Sequence, residues 1–351
     1  MLVPKKPAWL GRKHGRRITL ALQGGGALGG YVWGVLDRLL DDGRIEVEGI
    51  SGTSSGAINA ALFADGMAEG GPVAAQDRLE GFWRGIATAC EARRRPWFSI
   101  RKQLRERRLN LSSLNVFYDV MHRLMIPYAF DPRTMEPLRS TIAASIDFER
   151  LNAAEAPKLF INATDIGTAS MRIFTRPTIS VDALCASSCL PMLFDPVEID
   201  GAHYWDGGFM GNPALTPLVY GCKSADILLV QTEPSGPRPP PRTAAQLIER
   251  MSEISFTATL ARELDAIALQ QGLVEGDLAR KPKMPKTYLH MIRPDRDLEA
   301  EGGAGYSKFN AEWDYISHLR DLGRAAADDW LARAFARVGR ATTADFESRF
   351  A

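Results

Sequence analysis

The chain has 351 residues, 45% apolar and 24% charged, with a formal net charge of +1. That is ordinary globular composition, long enough to bury a core as one large α/β domain or two smaller ones. The near-neutral charge argues against a general nucleic-acid binder, and there is no run of about 18 apolar residues to span a membrane.

Residues 1–17 read as a basic tail, with Lys5, Lys6, Arg12, Lys13, Arg16 and Arg17 but no apolar stretch of a secretory signal. Such a tail is either solvated or a weak anchor to anionic lipid. The first strand is expected over residues 18–23 (ITLALQ), a short apolar run. It leads into Gly24-Gly25-Gly26-Ala27-Leu28-Gly29-Gly30. Residues 31–40 then place Val32, Val35, Leu36, Leu39 and Leu40 on one helical face. A second strand, residues 47–51, runs into Gly52-Thr53-Ser54-Ser55-Gly56, which opens a helix over residues 57–63.

Gly52-x-Ser54-x-Gly56 has the form of a nucleophile elbow. A serine on a tight strand-to-helix turn has a strained backbone, and its neighbours must be small to let the chain cross. The helix that follows aims its amides at the serine. The Gly24, Gly25 and Gly26 amides form a concave loop suited to an oxyanion hole. Gly24-x-Gly26-x-x-Gly29 also fits a dinucleotide fingerprint, with Glu46 and Glu48 as ribose-binding acids. Those acids should end the second strand, yet they begin it. A phosphate-binding Walker loop is excluded, since no Gly-Lys-Ser/Thr follows the glycines.

Residues 72–89 predict a helix, with Leu79, Phe82, Trp83 and Ile86 at helical spacing. Residues 90–135 read as a helical cap or insertion. They are rich in arginine around Trp97 and Phe98, which suits either an anionic headgroup interface or a subdomain with a solvated basic face. A helix is expected over residues 138–145, strands over 157–164 and 171–175, and a turn around Asp165 between them. Residues 181–190 (VDALCASSCL) read as a small-residue helix ending at Pro191, with Ser187 and Ser188 as packing hydroxyls. Strands at 197–199 and 203–205 flank the Asp200-Gly201 turn, and the second delivers Asp206-Gly207-Gly208. These glycines leave room for close approach, and a buried carboxylate beside a serine can accept its proton. Asn212-Pro213 is expected to start the next helix.

Three blocks now stand in order: the glycine run, the Ser54 elbow and Asp206-Gly207-Gly208. In them the chain resembles the bacterial patatin-like phospholipases, which are serine lipid acyl hydrolases. The resemblance covers roughly residues 18–232. It implies Ser54 as nucleophile, Asp206 as its partner in a dyad without histidine, and the Gly24–Gly26 amides as oxyanion hole. It also places the small-residue helix near the site, with Ser187, Ser188 and Pro191 in a recurrent Ala-Ser-x-x-x-Pro pattern. Many members carry Arg or Lys within the glycine motif where this chain has Leu28. This departure leaves the backbone oxyanion hole but no cation at that position.

Further on, residues 226–232 read as a core strand and 234–242 as a Pro-rich loop. A long helix follows over 244–271, with Leu247, Met251, Ile254, Leu260, Leu264 and Ile267 on one apolar stripe. A last strand covers 286–292 and an amphipathic packing helix 310–338. Cys90, Cys185, Cys189 and Cys222 form no CxxC pair and have no zinc-site spacing, so they read as reduced core thiols of a cytoplasmic protein. No metal or organic cofactor is expected.

His290 and His318 follow Asp206 in the chain order of a Ser-Asp-His triad, but one falls within a strand and the other within a helix. The dyad is therefore favoured, with His290 as the reserve base. The expected fold is a three-layer α/β/α arrangement around a central, largely parallel sheet. Residues 1–17 form the tail and 18–232 the catalytic domain, with the 90–135 insertion. Residues 233–351 pack on that same domain. The expected activity is acyl-ester hydrolysis of lipids through an acyl-enzyme, with a lipid or other acyl-ester substrate and possible peripheral contact with a membrane surface. An esterase, thioesterase or polyester depolymerase would use the same groups. A nucleotide-binding oxidoreductase and a silent lipid-binding scaffold are the alternatives of other classes.

Overall fold

A computed structural model describes residues 15–106, 135–155, 157–191, 193–233, 240–241, 244–275, 286–298, 308 and 310–344. The strands are β1 (Arg16–Leu22), β2 (Ile45–Gly52), β3 (Lys158–Asp165), β4 (Ser170–Phe174), β5 (Val197–Ile199), β6 (Ala202–Asp206), β7 (Asp226–Val230) and β8 (Tyr288–Ile292). They form one eight-stranded sheet. β8, β7, β1, β2 and β3 run parallel as neighbours in that order. β4, β5 and β6 add antiparallel pairings at the far side.

The helices are α1 (Gly29–Asp42), α2 (Ser55–Glu69), α3 (Pro72–Glu106), α4 (Glu136–Ser145), α5 (Phe148–Ala153), α6 (Val181–Ser187), α7 (Thr216–Gly221), α8 (Ala244–Glu275) and α9 (Trp313–Arg333). Strand periodicity sorts them into two layers. Ile18, Leu20 and Leu22 of β1, with Leu228 and Val230 of β7, join the core beneath α1, α2, α3 and α9. Ala21, Ile227 and Leu229 face the other way and join Leu215, Leu218, Leu260 and Leu264 under α7 and α8. Each parallel strand is thus covered on both faces, which is why it reads as a continuous apolar run.

α9 packs along α1, with the Trp313 and Trp33 rings 6.1 Å apart and Arg324 paired with Asp37 and Asp41. The C-terminal helix therefore lies on the same core as the first helix.

Several boundaries differ from the sequence expectation. β1 begins at Arg16, so two arginines assigned to the basic tail belong to the sheet. The Arg16 guanidinium donates to the carbonyls of Phe335, Ala336 and Val338. The helix begun at Pro72 runs on to Glu106, through the start of the expected insertion. Residues 1–14 and 107–134, which hold the rest of the tail and of the insertion, lie outside the described residues. The small-residue helix stops at Ser187, and the C-terminal helix ends at Arg333 before a separate turn at Phe335–Arg337. Leu247, Met251 and Ile254 of α8 are 51–61% exposed, while Leu260, Leu264 and Ile267 are buried. Only the second half of that stripe meets the sheet.

Candidate active site

β2 ends at Gly52 and α2 begins at Ser55, so Thr53 and Ser54 make the whole turn. Ser54 takes φ 54° and ψ −126°, a strained conformation for a residue with a side chain. The crossing is tight: a Cβ on Gly56 would lie 2.3 Å from the Leu22 carbonyl oxygen, and one on Gly52 would lie 2.6 Å from that of Gly56. The glycine loop after β1 comes directly against this turn. A Cβ on Gly24 would stand 2.7 Å from Ser54 Cβ.

Asp206, the last residue of β6, is completely buried. Its Oδ1 accepts the Gly208 N–H at 2.8 Å. Its own N–H donates to the Cys189 carbonyl at 2.8 Å, and its carbonyl accepts from Thr164 Oγ1 at 2.8 Å. Oδ2 has no hydrogen-bond partner among the described residues. Burial pushes this carboxyl up to about 7; the Gly208 N–H and the nearby Ser54 hydroxyl act in the opposite direction without cancelling it. The hydroxyl is thus near enough to favour the carboxylate, yet short of a formed hydrogen bond to Oδ2.

Asn162 of β3 links the two loops. Its Oδ1 accepts from the Thr53 hydroxyl, and its Nδ2 donates to the carbonyls of Gly207 and Gly211 at 3.0 and 2.7 Å. A Cβ on Gly207 would lie 2.2 Å from the Asn162 carbonyl oxygen, and Gly208 packs against the Phe256 ring of α8. Ser187, at the end of α6, accepts the Ser54 N–H on its Oγ at 2.9 Å.

The three amides expected to form the oxyanion hole are not equivalent. Gly24 N–H is spent on Asn212 Oδ1 at 2.8 Å. Gly25 N–H makes a longer bond of 3.2 Å to Ser55 Oγ. Gly26 N–H, at the head of the 3-10 turn Gly26–Leu28, finds no acceptor among the described residues. Asn212 thus orders the glycine loop rather than starting a helix; α7 begins at Thr216.

The model of the family described as patatin-like phospholipase matches residues 20–219, over half of the chain. The chain belongs to the patatin-like phospholipase family. No curated protein matches it. Among solved structures, this patatin-like chain is similar to VipD from Legionella pneumophila at 15% identity, covering 89% of this chain and 67% of VipD, with a TM-score of 0.39. It is also similar to the ExoU–SpcU complex of the Pseudomonas aeruginosa type III secretion system. There the identity is 15%, covering 93% of this chain and 52% of the other, with a TM-score of 0.34. The patatin-like chain spans about half the length of that second protein.

The residues of the dinucleotide alternative are otherwise engaged. Glu46 pairs with Arg17, and Glu48 accepts the Lys223 and Ser224 amides, both at the end of β2 opposite the glycine loop. His290 is fully buried, with Nε2 on Asp226 Oδ1 at 2.9 Å and Nδ1 on Thr343 Oγ1 at 2.8 Å. Both ring nitrogens are committed at the edge strand β8, separated from β2 by β1 and β7, so His290 is not in reach of Ser54. His318 lies exposed on α9.

Asn162, Asn212, Ser55 and the contact made by Ser187 were not singled out as functional from sequence. Asn162 left a signal: a buried amide inside the apolar run LFINAT needs partners. For Ser187 the resemblance places the helix near the site, but nothing in the chain marks its contact with Ser54, because a serine in a small-residue helix is also an ordinary packing residue.

Proposed function

We propose that this protein hydrolyses acyl esters of lipids, as a phospholipase A or lysophospholipase, through an acyl-enzyme on Ser54 with Asp206 as base. Family membership supports a lipid hydrolase; the dyad and the substrate type are the finer reading. The observation that carries it is the free Oδ2 of a fully buried Asp206 beside a serine on a strained strand-to-helix turn. A carboxyl held near pH 7 is basic enough to take a serine proton and acidic enough to return it.

In the first half-reaction Asp206 Oδ2 takes the proton of Ser54 Oγ as that oxygen adds to the ester carbonyl. The negative charge passes to the carbonyl oxygen, where the Gly25 and Gly26 amides and the N-terminal end of α2 lie in support. The intermediate collapses, the bond to the alcohol oxygen breaks, and Asp206 protonates the departing alcohol or lysolipid. Water then adds to the acyl-enzyme, giving its proton to Asp206. Collapse of this second intermediate returns that proton to Ser54 and frees the fatty acid.

The test is labelling with a fluorophosphonate, followed by peptide mapping, on wild type, Ser54→Ala and Asp206→Asn. Adduct on Ser54, absent in Ser54→Ala and at least about 100-fold slower in Asp206→Asn, is expected. Fatty-acid release from phospholipid, lysophospholipid, neutral lipid and thioester then assigns the substrate. Folded wild type that takes no label overturns the serine-hydrolase reading.

A further inference from the structure

We infer that Ser187 is a positioning residue for the nucleophile: its side-chain oxygen, by accepting the Ser54 N–H, holds the strained turn that presents Ser54 Oγ to Asp206. This rests on the acyl-enzyme reading above. The side chain has no other place in that chemistry and touches neither dyad carboxylate oxygen among the bonds described.

Ser54 N–H and Ser187 Oγ are 2.9 Å apart, and Ser187 has no exposed surface. The Ser54 N–H precedes the first turn of α2, where amides have no acceptor within the helix. With φ at 54° this amide is turned away from the helix axis, and Ser187 is the acceptor that meets it. The Ser54 carbonyl is held by the Ala57 and Ile58 amides, but on the N–H side Ser187 is the acceptor that opposes relaxation of Ser54 toward negative φ, which would swing its Cβ and Oγ.

The same short segment also grips the other dyad residue. Ser188 N–H closes on the Cys185 carbonyl at 3.0 Å and Cys189 N–H on Ala186 at 3.3 Å, making a tight turn after α6. From that turn the Cys189 carbonyl accepts the Asp206 N–H at 2.8 Å. One rigid piece of chain, held on its own backbone, therefore fixes the backbone of Ser54 through a side chain and that of Asp206 through a carbonyl. The Ser187 contact is the half that a substitution can remove.

Ser188 supplies the control. Its Oγ is buried and has no hydrogen-bond partner among the described residues. Ser188→Ala deletes the same group one residue away without touching Ser54.

The experiment compares wild type, Ser187→Ala, Ser187→Thr and Ser188→Ala. It reads the second-order rate of fluorophosphonate labelling at Ser54 across pH, the kcat and KM for a soluble ester, and the thermal midpoint. The expected result is a fall of about 10- to 100-fold in labelling rate and kcat for Ser187→Ala, since a misplaced reacting group costs that much. KM stays unchanged, and the pH midpoint does not fall, because Asp206 stays buried while the Ser54 hydroxyl that lowers its pKa moves away. Ser187→Thr keeps the hydroxyl and recovers most of the rate, and Ser188→Ala labels like wild type. A Ser187→Ala enzyme that is less heat-stable but labels at the wild-type rate while folded overturns the positioning role and leaves the acyl-enzyme reading standing. Wild type that takes no label overturns both.

Discussion

Gly52 and Asp206 lie along one edge of the same strand, Gly52 opposite Ile161 and Asp206 opposite Ala163. β4 takes the other edge of β3 across residues 161–165. β2, parallel to β3, and β6, antiparallel to it, therefore approach each other end to end. The two pairing positions are two residues apart on β3, about 7 Å of extended chain. The elbow that follows Gly52 is thus delivered to the end of β6, and the carboxyl of Asp206 to the elbow. The residue between the two pairing positions is Asn162, whose side chain bonds both loops.

Asn162→Ala should therefore damage both stability and activity. It removes three buried hydrogen bonds: one of the two acceptors of the Thr53 hydroxyl, which keeps the Gly211 carbonyl at 2.8 Å, and one donor to each of the Gly207 and Gly211 carbonyls. Each lost hydrogen bond costs about 0.5–1.5 kcal/mol where the partner keeps another bond, so a loss of roughly 2–4 kcal/mol is expected in urea unfolding. Labelling of the molecules that remain folded should fall by more than about 10-fold. A variant with wild-type kinetics would show that the two loops keep their places without this link.

Activity should rise with pH through about 7. Asp206 accepts a proton only as the carboxylate, and burial holds its carboxyl at about 7 against an ordinary 3.8. The labelling rate at Ser54 should be near its plateau at pH 8 and about 10-fold lower at pH 6. A profile flat from pH 5 to 8 would mean that Asp206 is ionised throughout and is not the base that limits the reaction.

The same carboxyl should make the fold less stable as pH rises. Its folded-state pKa lies above the unfolded value, so between about 4 and 7 the native state binds more protons than the unfolded chain. Stability then falls across that window and levels off above it. Asp206→Asn removes this term. Whatever offset the amide introduces, the stability of Asp206→Asn relative to wild type should grow by a few kcal/mol between pH 4 and pH 8. Parallel pH profiles for the two proteins in urea unfolding would count against the burial argument.

His290→Ala should separate a structural histidine from a catalytic one. The ring bridges Asp226 and Thr343, and among the described residues the Asp226 carboxylate would keep the bond from the Gly339 N–H at 2.7 Å. Loss of a buried partner of this kind is expected to cost roughly 2–4 kcal/mol. The rate per folded molecule should stay within about 2-fold of wild type. A loss of 100-fold with the fold intact would restore the triad.

Local chemistry made the core legible in the chain. The strands around residues 18–23, 47–51 and 226–232 announce themselves as apolar runs because both faces of a parallel sheet are covered. The elbow and the glycine run are legible because a crossing backbone tolerates no side chains at those positions. Asp206 entered only through the resemblance, since Asp-Gly-Gly by itself is a turn. The sequence by itself therefore determined the central sheet, the serine turn, the glycine loop and the family. It also suggested a core stripe at Leu247, Met251 and Ile254 that the fold leaves exposed, because periodicity marks a helix face without marking what that face meets.

Only the tertiary structure decided which groups come together. That β2 and β6 share one edge of β3 depends on the placement of β4, which is a matter of pairing between distant segments. Long-range packing likewise selects Asn162 and Ser187 as the contacts around the Ser54 turn, takes the Gly24 amide for Asn212, and leaves Asp206 Oδ2 buried with no partner among the described residues. Such contacts join residues far apart in the chain through single hydrogen bonds. Neither composition nor spacing records them, because each of these residues would read the same way on the surface of another fold.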